Sequence, residues 1–187
     1  MKRNVLIVIL TLLLCLCPLV SAHAAADDPF IVDDANLLSV QEEARLQATL
    51  SSISQQYQAQ IVIVTTNSVP GDDIDEYLDT YYDSQSLGYG QNHDGVLLLL
   101  CMDLREYRIL SNGYAAKAIN NNRIDRISDI IVSDLSNGNY YDAFTSFADQ
   151  CVYYLDGHLH GFPFDAGKNL LIALCIGIVV GLLVALP

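Results

Sequence analysis

The stretch DGVLLLLC, residues 94–101, decides the fold of this chain. Every residue from Val96 to Cys101 is apolar, which is typical of a strand that is buried on both faces of its sheet. Polar turns flank the run, with Asp94 before it and Asp103 and Arg105 after it. Because a strand buried on both faces needs helices on both sides of the sheet, the stretch predicts the core strand of an α/β fold.

Helical and extended patterns alternate through the rest of residues 27–157. Ser39 and Glu42 have the spacing of a capping box, which satisfies free N–H groups at the start of a helix. Residues 61–64 and 106–110 predict two further strands, the second in an antiparallel hairpin with the apolar run. The predicted fold is a three-layer α/β/α sandwich with a mixed central sheet. Four predicted helices have these apolar faces: Leu46, Leu50, Ile53 and Tyr57; Ile74, Tyr77, Leu78, Tyr81 and Tyr82; Ile124, Ile127, Ile131 and Leu135; Phe144, Phe147, Cys151 and Leu155.

The two ends of the chain carry apolar stretches of different kinds. Residues 1–26 have the basic start, apolar middle and small-x-small end of a cleavable signal peptide, with an uncleaved anchor as the alternative. Residues 169–187 contain no charge and would reach about 28 Å as a helix, which nearly crosses a bilayer core. A buried helix is the alternative, although such helices are rarely apolar on every face.

This pattern predicts a single-pass protein of the cell membrane. An extracytoplasmic domain occupies residues 27–157, a linker follows at 158–168, and a C-terminal transmembrane helix at 169–187 leaves the C-terminus in the cytoplasm. Within the predicted span, Gly177 and Gly181 form a G-x-x-x-G pattern, which predicts close pairing with another membrane helix. The alternative is that the two glycines occur there by chance, because glycine is common in membrane helices.

The charge of the chain excludes one class of partner. The sequence has 22 acidic residues against 9 basic ones, and every acidic residue lies beyond the predicted signal peptide. Removal of Lys2 and Arg3 leaves 7 basic residues and a net charge of about −15. Such a surface repels nucleic acid phosphates, so no nucleic acid partner is expected. It suits a soluble extracytoplasmic surface or one that binds cations.

The predicted ectodomain offers few groups for covalent chemistry. Cys101 and Cys151 can form a disulfide outside the cell, but two buried thiols are the favoured interpretation because both lie in apolar patterns. His93 is a candidate general acid beside Asp94, with a solvated loop histidine as the favoured alternative. No Ser-His-Asp set and no zinc-binding spacing are present in the sequence.

Four motifs in this order resemble the TPM domain family. They are the V-x-D-x-A-x-x-L-S type of segment at 31–39, the D-G-V-L-L-L strand at 94–99, an arginine-containing strand from Arg105 to the turn at Gly113, and G-x-Y at 138–140. The resemblance covers essentially the whole predicted ectodomain. A signal peptide, this domain and one C-terminal span form an arrangement that the family uses. The resemblance implies no single activity, because family members include acid phosphatases, calcium-binding proteins and a receptor accessory subunit.

The candidate metal site consists of carboxylates that follow strands. Asp33 and Asp34 follow the first extended segment and Asp103 follows the apolar run, so parallel strands would bring them to one edge of the sheet. Clustered carboxylates recruit a hard cation, and oxygen ligands favour Ca²⁺. The resemblance adds Asn121, where relatives often carry an aspartate; its amide oxygen still ligates calcium but brings no charge. The alternatives are a capping or turn role for Asp33 and a hairpin turn role for Asp103.

Two more residues complete the candidate site. Arg105 can neutralise the carboxylates or bind a phosphate oxygen, and its alternative role is a surface ion pair. Asp94 is the weakest candidate, because it precedes the strand and is expected at the opposite edge in a plain Asp-Gly turn. Two functions are compatible with these residues. The favoured one is a membrane-tethered binding or accessory module, calcium-dependent, that acts on an envelope protein, and the alternative is a metal-assisted acid phosphatase.

Overall fold

The computed structural model describes residues 30–162 together with position 174. The predicted signal peptide at 1–26 lies outside the described residues, and so does the predicted span apart from Leu174, including Gly177 and Gly181. None of the described helices combines the length and the apolar character that a membrane crossing requires.

Four strands in the described residues form one mixed sheet, in the order in which they occur along the chain. They are β1 (Ile31–Asp33), β2 (Gln60–Thr66), β3 (Gly95–Cys101) and β4 (Glu106–Asn112). Strands β1, β2 and β3 are parallel, and β4 is antiparallel to β3. The predicted mixed sheet and the predicted hairpin are therefore confirmed.

Helices cover both faces of this sheet. They are α1 (Val40–Tyr57), α2 (Ile74–Ser84), α3 (Ala115–Ala118), α4 (Asn121–Asn137) and α5 (Tyr140–His160), with a short 3₁₀ turn at Pro70–Asp72. Helix α2 packs against one face, and α1, α4 and α5 pack against the other. These layers give the predicted sandwich its two separate apolar cores.

Strand β3 supplies side chains to both cores, which explains its wholly apolar sequence. Successive side chains of a strand point to opposite faces, so Leu97 and Leu99 pack toward α2 while Leu98 and Leu100 pack toward α1 and α5. The whole strand is buried. Burial of one such leucine stabilises the fold by roughly 1.5–3 kcal/mol, so any polar substitution in β3 is costly.

The predicted helix faces are confirmed where they were most apolar. Phe144, Phe147, Cys151 and Leu155 are all fully buried along α5. The capping box at the start of α1 is also present. The Ser39 side chain accepts the backbone N–H of Glu42, and the Glu42 side chain accepts the backbone N–H of Ser39. The fold therefore uses both the packing and the capping that the sequence pattern indicated.

Helix α5 begins after Asn139 and ends at His160. Asn139 occupies the N-cap position, but its side chain makes no capping hydrogen bond and instead donates from Nδ2 to Asp134 Oδ1 at 3.3 Å. His158 and His160 belong to the helix and not to a linker that begins at 158, because α5 continues to His160. The apolar face of α5 extends over a further turn, where Gly157 is buried against the ring of Phe162.

The two described cysteines are free and buried, in agreement with the favoured interpretation. Cys101 lies in the core beneath α2, whereas Cys151 lies in the core on the other side of the sheet. The sheet separates them, so they cannot bond each other. Burial raises the pKa of the Cys151 thiol, which keeps it protonated and unreactive.

Candidate functional site

Asp33 ends β1, and its carboxylate holds the loop that follows. Oδ1 accepts hydrogen bonds from the Leu37 N–H at 3.1 Å and from the Thr65 hydroxyl at 2.5 Å. Oδ2 accepts from the Leu38 N–H at 2.8 Å. Because three donors already surround the carboxylate, it faces its own loop and the end of β2. The local geometry matches the turn-forming alternative for this residue.

Asp34 and Asp103 lie at the same edge of the sheet as Asp33, and both are exposed. The backbone N–H of Asp103 donates to the Asn67 carbonyl at 2.9 Å, which places the hairpin turn beside the loop that follows β2. Strand β2 separates β1 from β3. Since neighbouring strands lie about 4.8 Å apart, the strands that carry these carboxylates are about 10 Å apart.

Asn121 begins α4 near the opposite edge of the sheet. Two residues earlier, the Ile119 carbonyl accepts a hydrogen bond from the Ser111 hydroxyl at 2.8 Å, and Ser111 pairs with Val96 near the start of β3. The structure therefore does not bring Asn121 to the aspartates that follow β1 and β3. Within residues 30–162, no three His, Cys, Asp or Glu side chains are grouped as a metal site would require. Asn121 therefore does not join the predicted aspartates, and calcium binding stays a prediction.

Asp94 lies at the amino end of β3, where the sequence placed it, and it joins three loops. Its carboxylate accepts the Tyr114 N–H, and its carbonyl accepts the N–H groups of Gln60 at 2.9 Å and Tyr89 at 2.8 Å. Gly113 allows this approach, since a Cβ there would collide with Asp94 Oδ1. These contacts give Asp94 a structural role.

His93 also holds the loop before β3. Its Nδ1 bonds the Leu87 carbonyl at 2.9 Å, and its own carbonyl accepts the Tyr82 hydroxyl at 2.8 Å and the Asn112 side-chain amide at 3.0 Å. Burial raises the pKa of Tyr82 to about 12, so the phenol stays protonated and keeps donating at physiological pH. His93 therefore secures the amino edge of the sheet, at the opposite end of β3 from Asp103.

A cavity of about 500 Å³ lies beyond the carboxyl end of β3. The hairpin forms one wall and the turn between α4 and α5 forms the other. This is the position at which open α/β sheets bind ligands. Arg105 is the only one of its lining residues that carries a charge, and the walls are mostly apolar, with Leu100, Met102, Tyr107, Leu135 and Tyr140 among them.

Arg105 and Arg108 differ in what their guanidinium groups contact. Arg108 bonds Asp75 at 2.7 Å and Glu106 at 3.0 Å. Arg105 is exposed in the hairpin turn and forms no ion pair within the described residues. Its backbone has φ +55°, a left-handed conformation that side-chain-bearing residues rarely adopt. A free guanidinium beside an apolar cavity can bind a carboxylate or phosphate with two parallel hydrogen bonds.

Sequence reasoning identified Arg105 but missed the cavity around it. Tyr107 lies in the predicted hairpin strand, and the cavity forms because the distant α4–α5 turn closes over it and over Met102. One signal was available: Gly138 and Tyr140, the G-x-Y motif behind the family resemblance, both line the cavity. Arg105, which belongs to another of those motifs, lies on the opposite wall of the cavity.

The cavity offers apolar surface and one guanidinium group. Its lining residues include no carboxylate, histidine or cysteine. The Ser136 hydroxyl donates to the Val132 carbonyl at 2.7 Å, inside its own helix, so no neighbouring base activates it. The arrangement can hold an apolar group and pair with an anion.

Fold and cavity together define an α/β domain that has a mixed sheet between helices and an arginine at the mouth of a largely apolar cleft. A sequence profile described as TPM domain matches residues 31–154, which is nearly all of the described chain. The chain belongs to the TPM domain family, and the resemblance found in its motifs is confirmed.

Relatives of known sequence or structure support this assignment. The UPF0603 protein YdjH of Bacillus subtilis (strain 168) is 31% identical over 119 residues, which are 63% of this chain and 44% of that protein. The chain therefore spans less than half the length of this relative. The solution structure of the N-terminal domain of a P. gingivalis protein superposes with a TM-score of 0.64 at 21% identity, covering 75% of this chain and 90% of that domain. The BA42 protein of Bizionia argentinensis gives 0.56 at 14% identity, covering 69% and 86%. These structural likenesses show the fold alone.

Proposed function

We propose that this chain is a membrane-tethered extracytoplasmic module that binds an envelope protein through the cavity beyond β3. The observation that carries the proposal is the cavity itself. It is lined mainly by apolar and aromatic side chains, has one arginine at its mouth, and has no carboxylate, histidine or cysteine in its lining. Sites of this kind bind a projecting side chain from a partner, because the walls bury apolar surface and the charge fixes orientation.

The charge of the domain narrows the partner that the cavity accepts. Arg105 requires an anionic group at the mouth, a carboxylate or a phosphate. The rest of the chain is strongly acidic and repels a partner that carries many negative charges. We therefore propose a neutral or basic partner segment in which one acidic group lies beside a large apolar side chain.

The motifs shared with the family support a role for the cavity. Arg105, Gly138 and Tyr140 come from two separate motifs of the resemblance, yet they line the same space. Asp33 and Asp94 come from the other two motifs, and they hold loops at the ends of β1 and β3. Two motifs thus contribute to the cavity and two hold loops. This favours a binding role for the cavity and a structural role for the carboxylates.

The tether is proposed from the sequence of the two ends. Residues 1–26 would direct export and residues 169–187 would anchor the domain, with Gly177 and Gly181 as a pairing surface between membrane helices. Protease added to intact cells is expected to digest the domain and leave a small membrane fragment. A domain that stays protected from external protease contradicts this orientation. Loss of span association in a membrane two-hybrid reporter after Gly177→Leu/Gly181→Leu tests the pairing.

A crosslinking experiment tests the cavity. A photoreactive amino acid is placed at Ser136, on the cavity wall, in the full chain expressed in its envelope, and a matched probe is placed at the exposed Gln56 of α1. We expect one crosslinked partner from the first position and none from the second. Arg105→Gln should reduce the crosslink about tenfold, because a hydrogen bond to a charged group contributes roughly 1.5–3 kcal/mol. Arg108→Gln is the matched control and should leave it unchanged.

The same variants separate binding from phosphatase activity. Equal crosslinking from both probe positions, or a crosslink that Arg105→Gln leaves undiminished, contradicts the binding proposal. The purified full chain is also assayed for phosphate release from p-nitrophenyl phosphate with and without added calcium. Turnover that Arg105→Gln abolishes and Arg108→Gln retains would favour the phosphatase alternative, with Arg105 as the group that holds the substrate phosphate.

A further inference from the structure

The continuous described stretch ends at Phe162, which folds back against the end of α5. The ring of Phe162 packs over Gly157, where an added Cβ would collide with the ring, so only glycine admits this contact. The same ring lies 5.5 Å from the ring of Tyr153 and 6.3 Å from that of Tyr154, measured between centroids. The chain therefore leaves the domain at a fixed point, beside an aromatic cluster.

A cation is held inside this aromatic cluster. The Arg123 guanidinium lies 4.8 Å from the centroid of Phe162 and 5.2 Å from that of Tyr154. Its Nη1 also donates to the Ala118 carbonyl, which places α3 next to the cluster. Lys117, the residue before Ala118, is exposed. The cluster thus combines aromatic rings with the positive charge of Arg123, and α3, the helix beside it, carries a second positive charge at Lys117, in a chain whose net charge is −13.

Large apolar surfaces are exposed at this point of the molecule. Tyr153 is 46% exposed and Phe162 is 42% exposed, and Leu159 in the last turn of α5 is 52% exposed. The nearby carboxylate of Asp156 is paired with His160 Nδ1 at 3.0 Å. We call the surface formed by Tyr153, Phe162, Arg123 and Lys117 the aromatic-basic face.

Chain length places the aromatic-basic face close to the proposed span. Residues 163–168 separate Phe162 from the apolar segment that begins at Asn169. Even a fully extended chain of this length covers only about 25 Å. With residues 169–187 inserted in a bilayer, the end of α5 stays within that distance of the membrane.

We infer, on the basis of the tether that forms part of the proposed function, that the aromatic-basic face rests in the headgroup layer of a membrane that contains anionic lipid. Tyrosine rings favour the membrane interface, where the ring contacts acyl chains and the hydroxyl stays hydrated. Lysine and arginine near the surface attract anionic headgroups. The acidic groups of α2 lie on the opposite side of the sheet from α5, so docking on this face turns them away from the lipid.

The absence of tryptophan from the sequence allows a direct test. The full chain carrying Tyr153→Trp is reconstituted into phosphatidylcholine vesicles with or without phosphatidylglycerol, using brominated phosphatidylcholine as the quencher. The matched control is Val40→Trp, at an 83% exposed position that begins α1 beside the carboxyl edge of the sheet. We expect blue-shifted emission and strong quenching for Tyr153→Trp in anionic vesicles, and neither effect for Val40→Trp.

Two further measurements test the docking of the aromatic-basic face separately from the anchoring of the chain. Adding Lys117→Ala to the Tyr153→Trp chain should lower the ratio of docked to undocked domain about fivefold, as loss of one basic residue at an anionic surface predicts. Flotation of the vesicles reports whether the chain is anchored. An anchored Tyr153→Trp chain whose emission resembles that of the Val40→Trp control overturns the inference and leaves the tether standing. Chain that fails to float overturns the tether, and the inference with it.

Discussion

The Thr65 hydroxyl and the Asp33 carboxylate join the ends of two neighbouring strands, with Thr65 Oγ1 donating to Asp33 Oδ1 at 2.5 Å. The two residues are also partners in the parallel register of β1 and β2. Because the same carboxylate accepts two backbone N–H groups from the following loop, it connects the shortest strand of the sheet to the chain that leads into α1.

Replacing Asp33 should therefore destabilise the fold. Asp33→Ala leaves two partly buried N–H groups without their acceptor, and we expect a loss of about 2 kcal/mol or more in the free energy of unfolding. Asp34→Ala removes an exposed carboxylate and should change it by less than about 0.5 kcal/mol. Urea denaturation of both variants measures the difference. Equal stability of the two variants would show that Asp33 does not hold this loop.

The calcium prediction needs variants that leave Asp33 intact. Asp34 and Asp103 are exposed carboxylates at the same edge of the sheet, and neither makes a side-chain hydrogen bond within the described residues. If they bind calcium, the ion raises the melting temperature of the wild-type chain, and Asp34→Asn/Asp103→Asn abolishes that rise. Thermal denaturation across a calcium titration checks this, with magnesium as the comparison ion. An unchanged rise in the double variant contradicts calcium binding at this edge.

Alkaline pH should weaken the amino edge of the sheet. The pKa of Tyr82 is about 12 in the folded protein because of burial, compared with about 10 in an unfolded chain. Its contribution to stability is complete below pH of about 10 and is lost as the pH rises toward about 12, because the unfolded chain ionises first. Tyr82→Phe should cost about 1 kcal/mol near neutral pH, since the hydrogen bond to the His93 carbonyl is lost. The variant should also show a smaller fall in stability with alkaline pH, measured by urea denaturation.

A comparison of alanine substitutions at Gly113 and Gly90 measures the contact between Gly113 and Asp94. Both Gly113 and Gly90 have positive φ, +63° and +67°, so an alanine at either position is strained by about 1–2 kcal/mol. Only at Gly113 would the new methyl group also collide with Asp94, since nothing lies within 4 Å of the corresponding position at Gly90. Gly113→Ala should therefore destabilise the chain more than Gly90→Ala, as measured by thermal denaturation. Equal losses would mean that the Asp94 side chain moves aside without cost.

Local patterns predicted the fold, and tertiary contacts determined the site. The apolar run of β3 and the buried face of α5 could be predicted because the spacing of apolar residues in a strand or helix indicates which residues are buried. The Asp94 contact with Tyr114 spans 20 residues, and the cavity joins Arg105 to Tyr140 across a whole helix. No local period encodes such pairings. Asn121 shows the same limit, because its residue type suited a calcium ligand but did not reveal the edge of the sheet at which α4 begins.

Helix α5 has a consequence for the range of partners. Tyr140 at its start lines the cavity, and Tyr153 and His160 lie toward its other end, near the point where the chain leaves the domain. Its 21 residues, each rising about 1.5 Å, form a helix about 30 Å long. If that end rests on lipid and the axis of α5 runs along the membrane normal, the length of the helix sets the height at which the cavity meets its partner. The cavity could not reach a partner segment that lies flat against the bilayer. It could bind a segment that a domain or stalk of matching height holds above the bilayer, with no rearrangement of this domain.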